Sequence, residues 1–329
     1  MTCCVRLVLT AILCLIPTAS LGAQSKDKKS DPQQIGNRDV GTGVNFYSLE
    51  KEIALGKQLA QQIERQAKFV DAPIPAEYVN RLAQNLARNS DIKVPVTAKL
   101  VDSSEVNAFA LPGGFLFVNS GLVMKADTEA ELAAAMAHEI AHVAARHGTR
   151  QASRGQLVNI ASLPLIFLGG WAGYAVRQGT GRAVPMAFLK FSRGFEQEAD
   201  LLGLQYLYKA GYDPSAFVDF FERMEAMEKR KPGTLSQLFR SHPKMATRIK
   251  FTQKNVQELL TVQPQYVVST SEFQDVTQQL ARMVNARKVS PEKTGPTLRR
   301  SPGSGRTADD GDNTKPDQDE RPTLRRRNP

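Results

Sequence analysis

Apolar residues recur at helical spacing through the first strongly patterned stretch of the chain, from Ser48 to about Gln66. The positions are Leu49, Ile53, Leu55, Leu59 and Ile63. Because residues three and four apart lie on one face of a helix, this pattern predicts an amphipathic helix. Pro73-Ile74-Pro75 then interrupts the pattern, and a second helix is predicted over Ala76 to Arg88.

Two stretches rich in β-branched and aromatic residues predict strands, Val94 to Val101 and Ala108 to Val118. A polar turn around Asp102 to Glu105 separates them. The second stretch contains Pro112-Gly113-Gly114, and proline within a strand is confined to edges and bulges. We therefore predict that this strand is bulged or lies at the edge of a sheet.

A long alanine-rich helix is predicted to follow. Thr128 with Glu131 three residues later forms a capping box, which is typical of a helix start. The pattern predicts a helix to about His147, with Gly148 ending it. Because its positions from Leu132 to Ala144 are apolar nearly all round, we expect this helix to be buried.

Further helices are predicted from about Phe195 to Ala210, ended by Gly211, and then from Pro214 and from Pro243. Helices thus outnumber strands, and the two strand stretches are close neighbours in sequence. The sequence predicts an α+β fold that is predominantly helical, with a small, mostly antiparallel sheet beside the alanine-rich helix.

The amino terminus has the pattern of a secretory signal peptide over residues 1–23. A short, positively charged stretch precedes an apolar run from Leu7 to Ile16, and small residues follow. All three cysteines lie here, at positions 3, 4 and 14, so a metal site in the remainder must use His, Asp and Glu. Residues 24–47 are polar and are predicted to be a flexible entry to the folded domain. We therefore expect the chain to be exported across a membrane.

Charge does not favour a nucleic-acid partner, although the formal net charge is +10. Residues 287–329 hold eleven Lys and Arg against seven Asp and Glu. This segment is rich in Pro, Gly and Asp and nearly free of large apolar residues, so it is predicted to be a disordered basic tail. The preceding residues hold no dense basic cluster with interleaved aromatics. We therefore expect no nucleic acid among the partners.

Three of the four histidines lie within ten residues of one another. His138-Glu139-Ile140-Ala141-His142 matches the H-E-x-x-H motif, in which two histidines one helical turn apart bind one metal ion. Glu139 is placed to take a proton from water at that ion. His147 lies about 180° round the helix from His138 and should not share the ion. The third ligand must therefore come from elsewhere in the chain.

Glu196 is the candidate third ligand. It lies in Phe195-Glu196-Gln197-Glu198-Ala199-Asp200, where Glu196 and Asp200 are four apart and share a helix face while Glu198 points away. A ligand carboxylate plus a second carboxylate that orients a ligand histidine is a common arrangement around protein-bound metals. Two acids on a helix are otherwise usually a solvated face.

Four blocks in this order and spacing resemble the HtpX-like and CAAX prenyl protease family of gluzincin zinc metallopeptidases, and most closely its soluble, periplasmic, BepA-like branch. The blocks are Asn107 to Gly114, Ala137 to Gly148, Ser192 to Asp200, and Ser241-His242-Pro243. The resemblance covers roughly Ser48 to Val256, within a metallopeptidase domain that we predict over residues 48–286. It implies a zincin-type fold, one Zn²⁺ per chain bound by His138, His142 and Glu196, and a location across the inner membrane in the periplasm, with possible membrane association. It also implies that Glu139 is the general base, that Asp200 orients His138, and that the Ala108 to Val118 strand pairs with extended substrate.

These residues predict hydrolysis of peptide bonds by metal-activated water. His242 is a candidate donor to the oxyanion; by resemblance it could instead cap the zinc in a resting state, and otherwise it is a turn histidine before a proline. The expected enzyme is an endopeptidase that acts on misfolded or unassembled envelope proteins, bound in extended form. The alternative is a periplasmic chaperone or assembly factor that uses the same cleft with little proteolysis.

Residues 155–176 carry no charge and have the hydropathy of a membrane span. A single span here would place His142 and Glu196 on opposite sides of the bilayer, although both are predicted to bind one ion. We therefore expect a lid over the cleft or a segment that contacts the membrane surface.

Overall fold

A computed structural model describes residues 31–166, 191–230, 242 and 245–289, of which 157–166, 245 and 287–289 are described by their backbone alone. The predicted signal peptide, the second part of the 155–176 insert and the tail from residue 290 lie outside the described residues. The chain divides into two units, Met1–Ala286 and Arg287–Pro329, and the description below concerns the first.

The described residues form a short 3-10 helix (Pro32–Gln34), nine α-helices and three strands. In chain order the α-helices and strands are α1 (Leu49–Gln66), α2 (Pro73–Arg88), β1 (Thr97–Val101), β2 (Ala108–Leu111), β3 (Phe115–Asn119), α3 (Ser120–Lys125), α4 (Glu129–Ala144), α5 (His147–Ile166), α6 (Arg193–Lys209), α7 (Ser215–Arg230), α8 (Met245–Leu259) and α9 (Ser271–Val289). The predicted α+β class with a small sheet is confirmed. The short α3, helix α5 and the carboxy-terminal α9 were not predicted.

The first two helices differ in how well the pattern located them. Helix α1 follows the prediction, and the Ser48 hydroxyl caps it by accepting a hydrogen bond from the Lys51 amide. Helix α2 begins at Pro73, so the predicted break at Pro73 to Pro75 is wrong. Proline lacks an N–H that the first turn of a helix would leave unbonded in any case, so it starts this helix instead of interrupting it.

The predicted strand from Ala108 to Val118 is two strands. Pro112 to Gly114 form a turn in which Gly113 and Gly114 have φ values of 80° and 95°, a region that favours glycine. The strand order is β1-β3-β2, with β1 parallel and β2 antiparallel to β3. The sheet is therefore mixed, and β2 is the edge strand that faces α4.

Helix α4 lies at the centre of the domain, and all of its residues are buried. The prediction that it runs to His147 is wrong, because it ends at Ala144 and α5 begins at His147. Arg146 between them has φ 56°, and its guanidinium Nε lies 2.7 Å from the buried Glu52 carboxylate. This ion pair offsets the roughly 1–2 kcal/mol cost of a left-handed residue.

Residues 31–47 are packed against the domain, which the prediction of a flexible entry did not anticipate. The Arg38 guanidinium pairs with Asp91 at 2.8 Å, and Asp91 also accepts a hydrogen bond from the Tyr206 hydroxyl. Val40 is buried in the core. These contacts tie the start of the described chain to α6.

Helix α6 packs closely on α4, and this packing positions the site. Gly203 is the point of approach, since a Cβ added there would lie 3.0 Å from the His138 backbone. Two turns before Gly203, the same helix face carries Glu196 towards α4. Among the helices of the described residues, none combines the length and apolarity needed to cross a membrane.

Candidate metal centre

Four buried side chains bring their donor atoms together. Two lie on α4, one lies on α6, and the fourth is His242, which precedes α8 in the chain. His138, His142, Glu196 and His242 each offer one atom, and these atoms lie within 4.8 Å of one another. The His142 Nε2 atom is 3.0 Å from His138 Nε2, which is 3.3 Å from His242 Nδ1. Glu196 Oε2 is 2.9 Å from His242 Nδ1 and 3.6 Å from His138 Nε2.

These spacings fit a tetrahedral zinc site. A tetrahedron with metal–ligand distances of about 2.0–2.1 Å has ligand–ligand distances of about 3.3–3.4 Å, and zinc takes imidazole and carboxylate ligands. Five of the six pairs of donor residues have nitrogen or oxygen atoms 2.9 to 3.6 Å apart, and all four donor atoms lie within 4.8 Å of one another. The residues present therefore suit one divalent zinc-like ion, and three of the four are those that the sequence predicted.

Helix geometry brings the two predicted histidine ligands together. His138 and His142 are one turn apart on α4, so their rings point to the same side of the helix. Glu196 and Asp200 have the same relation on α6, whose first turn is capped by the Ser192 hydroxyl. The two pairs face each other because α6 crosses α4 at close range.

Asp200 lies behind His138. Its Oδ1 atom is 3.0 Å from His138 Nδ1, which leaves Nε2 pointing at the other donors. Arg248 holds Asp200 with two hydrogen bonds, of 2.8 and 2.6 Å, and its guanidinium lies over the Phe221 ring. Burial opposes ionisation of Asp200, but the charge and hydrogen bonds of Arg248 keep its pKa below the ordinary value.

Sequence reasoning missed Arg248. It lies in α8, 48 residues from Asp200, and both side chains are buried. A lone arginine on a helix that follows His242 carries no motif or spacing that would single it out. Only the packing of α8 against α6 brings it to Asp200.

Glu139 lies beside the donors and against the edge strand. Its Oε2 atom accepts a hydrogen bond from the Ala110 amide of β2 at 3.1 Å, and its Oε1 atom is 3.3 Å from His242 Nε2. The carboxylate therefore lies between the sheet edge and the donor cluster. This is a suitable position for a base that acts on a water molecule near an ion held by the donors.

His242 occupies a buried position between two carboxylates, Glu196 on one ring nitrogen and Glu139 on the other. Of the alternatives that the sequence left open, this geometry favours a role in the site over a turn histidine. Burial alone would lower its pKa, but the two carboxylates raise it to about 10.

The ionisation of His142 and Glu196 suits metal binding. Burial lowers the pKa of His142 well below its usual range, and His138 adds to that effect, so the ring is neutral. Burial opposes the charge on Glu196, but His242 and His138 hold the pKa of Glu196 well below its usual range. Neutral imidazole and ionised carboxylate are the forms that bind metals.

His147 lies outside the four-donor cluster, on the far side of His142. Its Nδ1 atom is 2.9 Å from His142 Nδ1, and its Nε2 atom is 3.3 Å from a Glu198 oxygen. Burial lowers the pKa of His147 although Glu198 opposes the effect. The predicted orientation of Glu198, away from the Glu196 face, agrees with this contact.

A small pocket of about 20 Å³ adjoins the donor cluster. At one end it is lined by His138, Glu139, His242 and Arg248. The rest of its wall is apolar and is formed by Ala108, Leu122, Ala134, Ala135, Phe217, Phe220 and Phe221. The pocket therefore joins a polar reaction centre to an apolar recess.

Three proteins that are similar to this chain are all named as proteases or endopeptidases. A beta-barrel assembly-enhancing protease of Yersinia pestis is 28% identical over 262 residues, which cover 77% of this chain and 54% of that protein. The mitochondrial metalloendopeptidase OMA1 of Schizosaccharomyces pombe is 30% identical over 63% of this chain and 61% of its own length. Metalloprotease LoiP of Escherichia coli is 30% identical over 59% of this chain and 76% of its own.

The chain spans about half the length of the assembly-enhancing proteases that it matches. The family model described as Peptidase family M48 matches residues 73–256. This match exceeds half of the chain and contains all four donor residues and Glu139. The chain therefore belongs to peptidase family M48.

Proposed function

We propose that the protein is a zinc-dependent endopeptidase, with His138, His142 and Glu196 as zinc ligands and Glu139 as general base. The observation that carries the proposal is the buried carboxylate of Glu139, which lies between a four-donor cluster and the free edge of a sheet. Family membership supports peptidase chemistry at this place. When bound, zinc supplies Lewis-acid polarisation of the scissile carbonyl and acidifies the attacking water.

Glu139 accepts the proton of that water and later delivers it to the leaving amine. The hydrogen bond from the Ala110 amide fixes one carboxylate oxygen, and the other oxygen, 3.3 Å from His242 Nε2, faces the donor cluster where the water would lie. Asp200 and Arg248 act behind the donors, where they hold the His138 ring with Nε2 directed at the site. None of these steps requires a cysteine or a serine nucleophile.

His242 must leave its described position for hydrolysis to proceed. Catalytic zinc sites keep one position for water, whereas four protein donors fill a tetrahedral site. His242 Nδ1 lies among the donors, so this histidine, once it has lost its extra proton, would cap the site. We propose that a displaced His242 donates a hydrogen bond to the oxyanion.

Substrate binds in extended form against β2. This strand is at the edge of the sheet, and an extended peptide can add to such an edge through main-chain hydrogen bonds. The apolar wall of the pocket next to Glu139 then contacts an apolar side chain of the substrate. Such side chains are exposed in unfolded polypeptides and buried in folded ones.

The substrate class that we propose is misfolded or unassembled proteins of the bacterial envelope. The name beta-barrel assembly-enhancing protease, carried by relatives in Yersinia pestis and Escherichia coli, supports an envelope role. The predicted signal peptide agrees with a periplasmic location. Contact with a membrane surface through residues 155–176 is part of the same hypothesis.

A chaperone or assembly factor is the second candidate, because a capped metal site could bind extended chains without cutting them. Digestion of casein by the purified protein, with and without a chelator, tests the first candidate. We expect fragments that disappear with the chelator and return with added zinc. Intact casein under all conditions, together with protection of an unfolded protein from aggregation, would favour the second.

A further inference from the structure

His147 has no role in the proposed reaction, yet it is completely buried and contacts a proposed zinc ligand. We propose that His147 is a positioning residue, which fixes the tautomer and ring orientation of His142 through a relay that ends at Glu198. This inference rests on the proposed metal site. It concerns the strength of metal binding and not the chemistry of peptide cleavage.

The direction of the relay follows from the atoms involved. His142 directs Nε2 at the other donors, so a neutral His142 that binds metal carries its proton on Nδ1. That proton points at His147 Nδ1, 2.9 Å away, which must then accept it. A neutral His147 that accepts at Nδ1 carries its own proton on Nε2, where Glu198 Oε2 lies 3.3 Å away.

The relay ends on a carboxylate that is itself held in place. One Glu198 oxygen accepts a hydrogen bond from the Gly41 amide and the other from the Thr42 hydroxyl, both at 3.1 Å. Gly41 and Thr42 belong to residues 31–47, which precede α1. Residues far from the metal site in sequence therefore fix the last acceptor of the relay.

Ring stacking fixes the plane of His147. Its imidazole stacks on Phe195 with ring centres 4.3 Å apart and planes 18° apart, and the Arg154 guanidinium contacts the same Phe195 ring. His142 stacks in the same way on Phe191, with ring centres 4.0 Å apart. Stacking therefore fixes the ring planes of His142 and His147. The hydrogen bond between their Nδ1 atoms then determines which ring donates and which accepts.

The two predicted ligand histidines then have different outer partners. His138 donates directly to the carboxylate of Asp200, whereas His142 donates to a carboxylate through an intervening imidazole. Partners of this kind orient ligands, and their removal usually weakens metal affinity about 10–100-fold. We expect an effect of this size from His147 although it never touches the ion.

The test is zinc affinity of the full chain, measured by competition with a chromophoric chelator. His147→Leu keeps a side chain of similar bulk but cannot accept a hydrogen bond, so we expect its zinc Kd to rise about 10–100-fold. His147→Asn keeps an acceptor oxygen near the Nδ1 position, and we expect it to recover most of the affinity. A uniform loss in both variants would overturn the relay.

Thr149→Val is the matched control. Thr149 is equally buried on the same first turn of α5, but its hydroxyl bonds to Glu52 and to the Arg146 carbonyl and not to a metal ligand. We expect this variant to lower the unfolding temperature and to bind zinc with unchanged affinity. If it weakens zinc binding as much as His147→Leu does, the effect of His147 is merely structural and the proposal fails.

Nitrogen-15 NMR of the histidine side chains supplies a readout that does not depend on activity. In the zinc-loaded protein we expect the His142 proton on Nδ1 and the His147 proton on Nε2. A proton on His147 Nδ1 would overturn the relay even if His147→Leu weakened binding. Wild-type protein that binds no zinc would contradict the proposed function together with the relay, whereas equal binding by wild type and His147→Leu would contradict the relay alone.

Discussion

The donor cluster and the apolar pocket share a wall but are held together by different forces. His138, Glu139 and His242 line both regions. In the cluster, each polar atom is fixed by a charged or hydrogen-bonded partner, such as Asp200 behind His138 and the Ala110 amide on Glu139. In the pocket, apolar side chains from α4 and α7 are held mainly by packing, with the Arg248 guanidinium over the Phe221 ring.

Because of this difference, we assign the reaction to the donor cluster and the choice of substrate to the pocket. Buried polar groups are costly unless they are satisfied, so a single change in the cluster leaves an unpaired group behind. Apolar walls tolerate changes of shape more readily, at a cost that depends on volume. We therefore expect large, local and chemical effects from changes in the cluster, and graded effects on substrate choice from changes in the pocket.

The largest expected effect is that of Glu139→Gln on turnover. An amide cannot accept the water proton, so we expect kcat to fall about 10²–10⁴-fold while zinc affinity stays unchanged. Cleavage of a fluorogenic peptide measures the rate, and chelator competition measures the affinity. Glu131→Gln is the control, since Glu131 lies on the same buried helix but bonds to Arg223. Undiminished cleavage by Glu139→Gln would remove the base assignment.

The next effect concerns the stability of the cluster. Arg248→Met leaves Asp200 without its charge partner in a buried place, so we expect the free energy of unfolding to fall by about 3–5 kcal/mol. The double variant Asp200→Leu with Arg248→Met removes both charges, so its free energy of unfolding should fall by less than that of Arg248→Met alone. Urea unfolding of the zinc-free protein measures both. A double variant less stable than Arg248→Met would show that the pair is not what holds α8 to α6.

A third prediction concerns the pocket. Ala135→Leu narrows the recess next to His138 and Glu139, so we expect kcat/KM for peptides with a large apolar side chain beside the cleaved bond to fall about 10–200-fold. A peptide with alanine at the same position should be cleaved at nearly the wild-type rate. If both peptides are affected equally, the pocket does not select the substrate.

The smallest of the predicted changes is a pH dependence of stability. The pKa of Asp200 is held below its ordinary 3.8 in the folded protein, so its contribution is present above that pH and is lost as the pH falls through the lowered folded value. Asp200→Asn should flatten this part of the acid unfolding curve of the zinc-free protein. If the stability of the wild type and of Asp200→Asn falls equally steeply at acid pH, Asp200 is not the group responsible.

The sequence placed the helical elements better than the sheet. Helix α1 follows from its apolar period, and the start of α4 follows from Thr128 and Glu131. The turn at Pro112 to Gly114 was interpreted as a bulge because nothing in one strand pattern indicates that the chain reverses there. Pairing partners decide that question, and β3 pairs with β1 as well as with β2.

By itself, the sequence determined what local geometry determines: two imidazoles four residues apart on a helix share a face, and so do Glu196 and Asp200. Helical periodicity is a property of the backbone and needs no other element. Tertiary structure alone decided that α6 approaches α4 at Gly203, that Arg248 reaches Asp200, and that a left-handed Arg146 returns His147 to the back of His142. Those contacts join residues far apart in sequence or across a helix end, and their formation depends on the packing of the whole core.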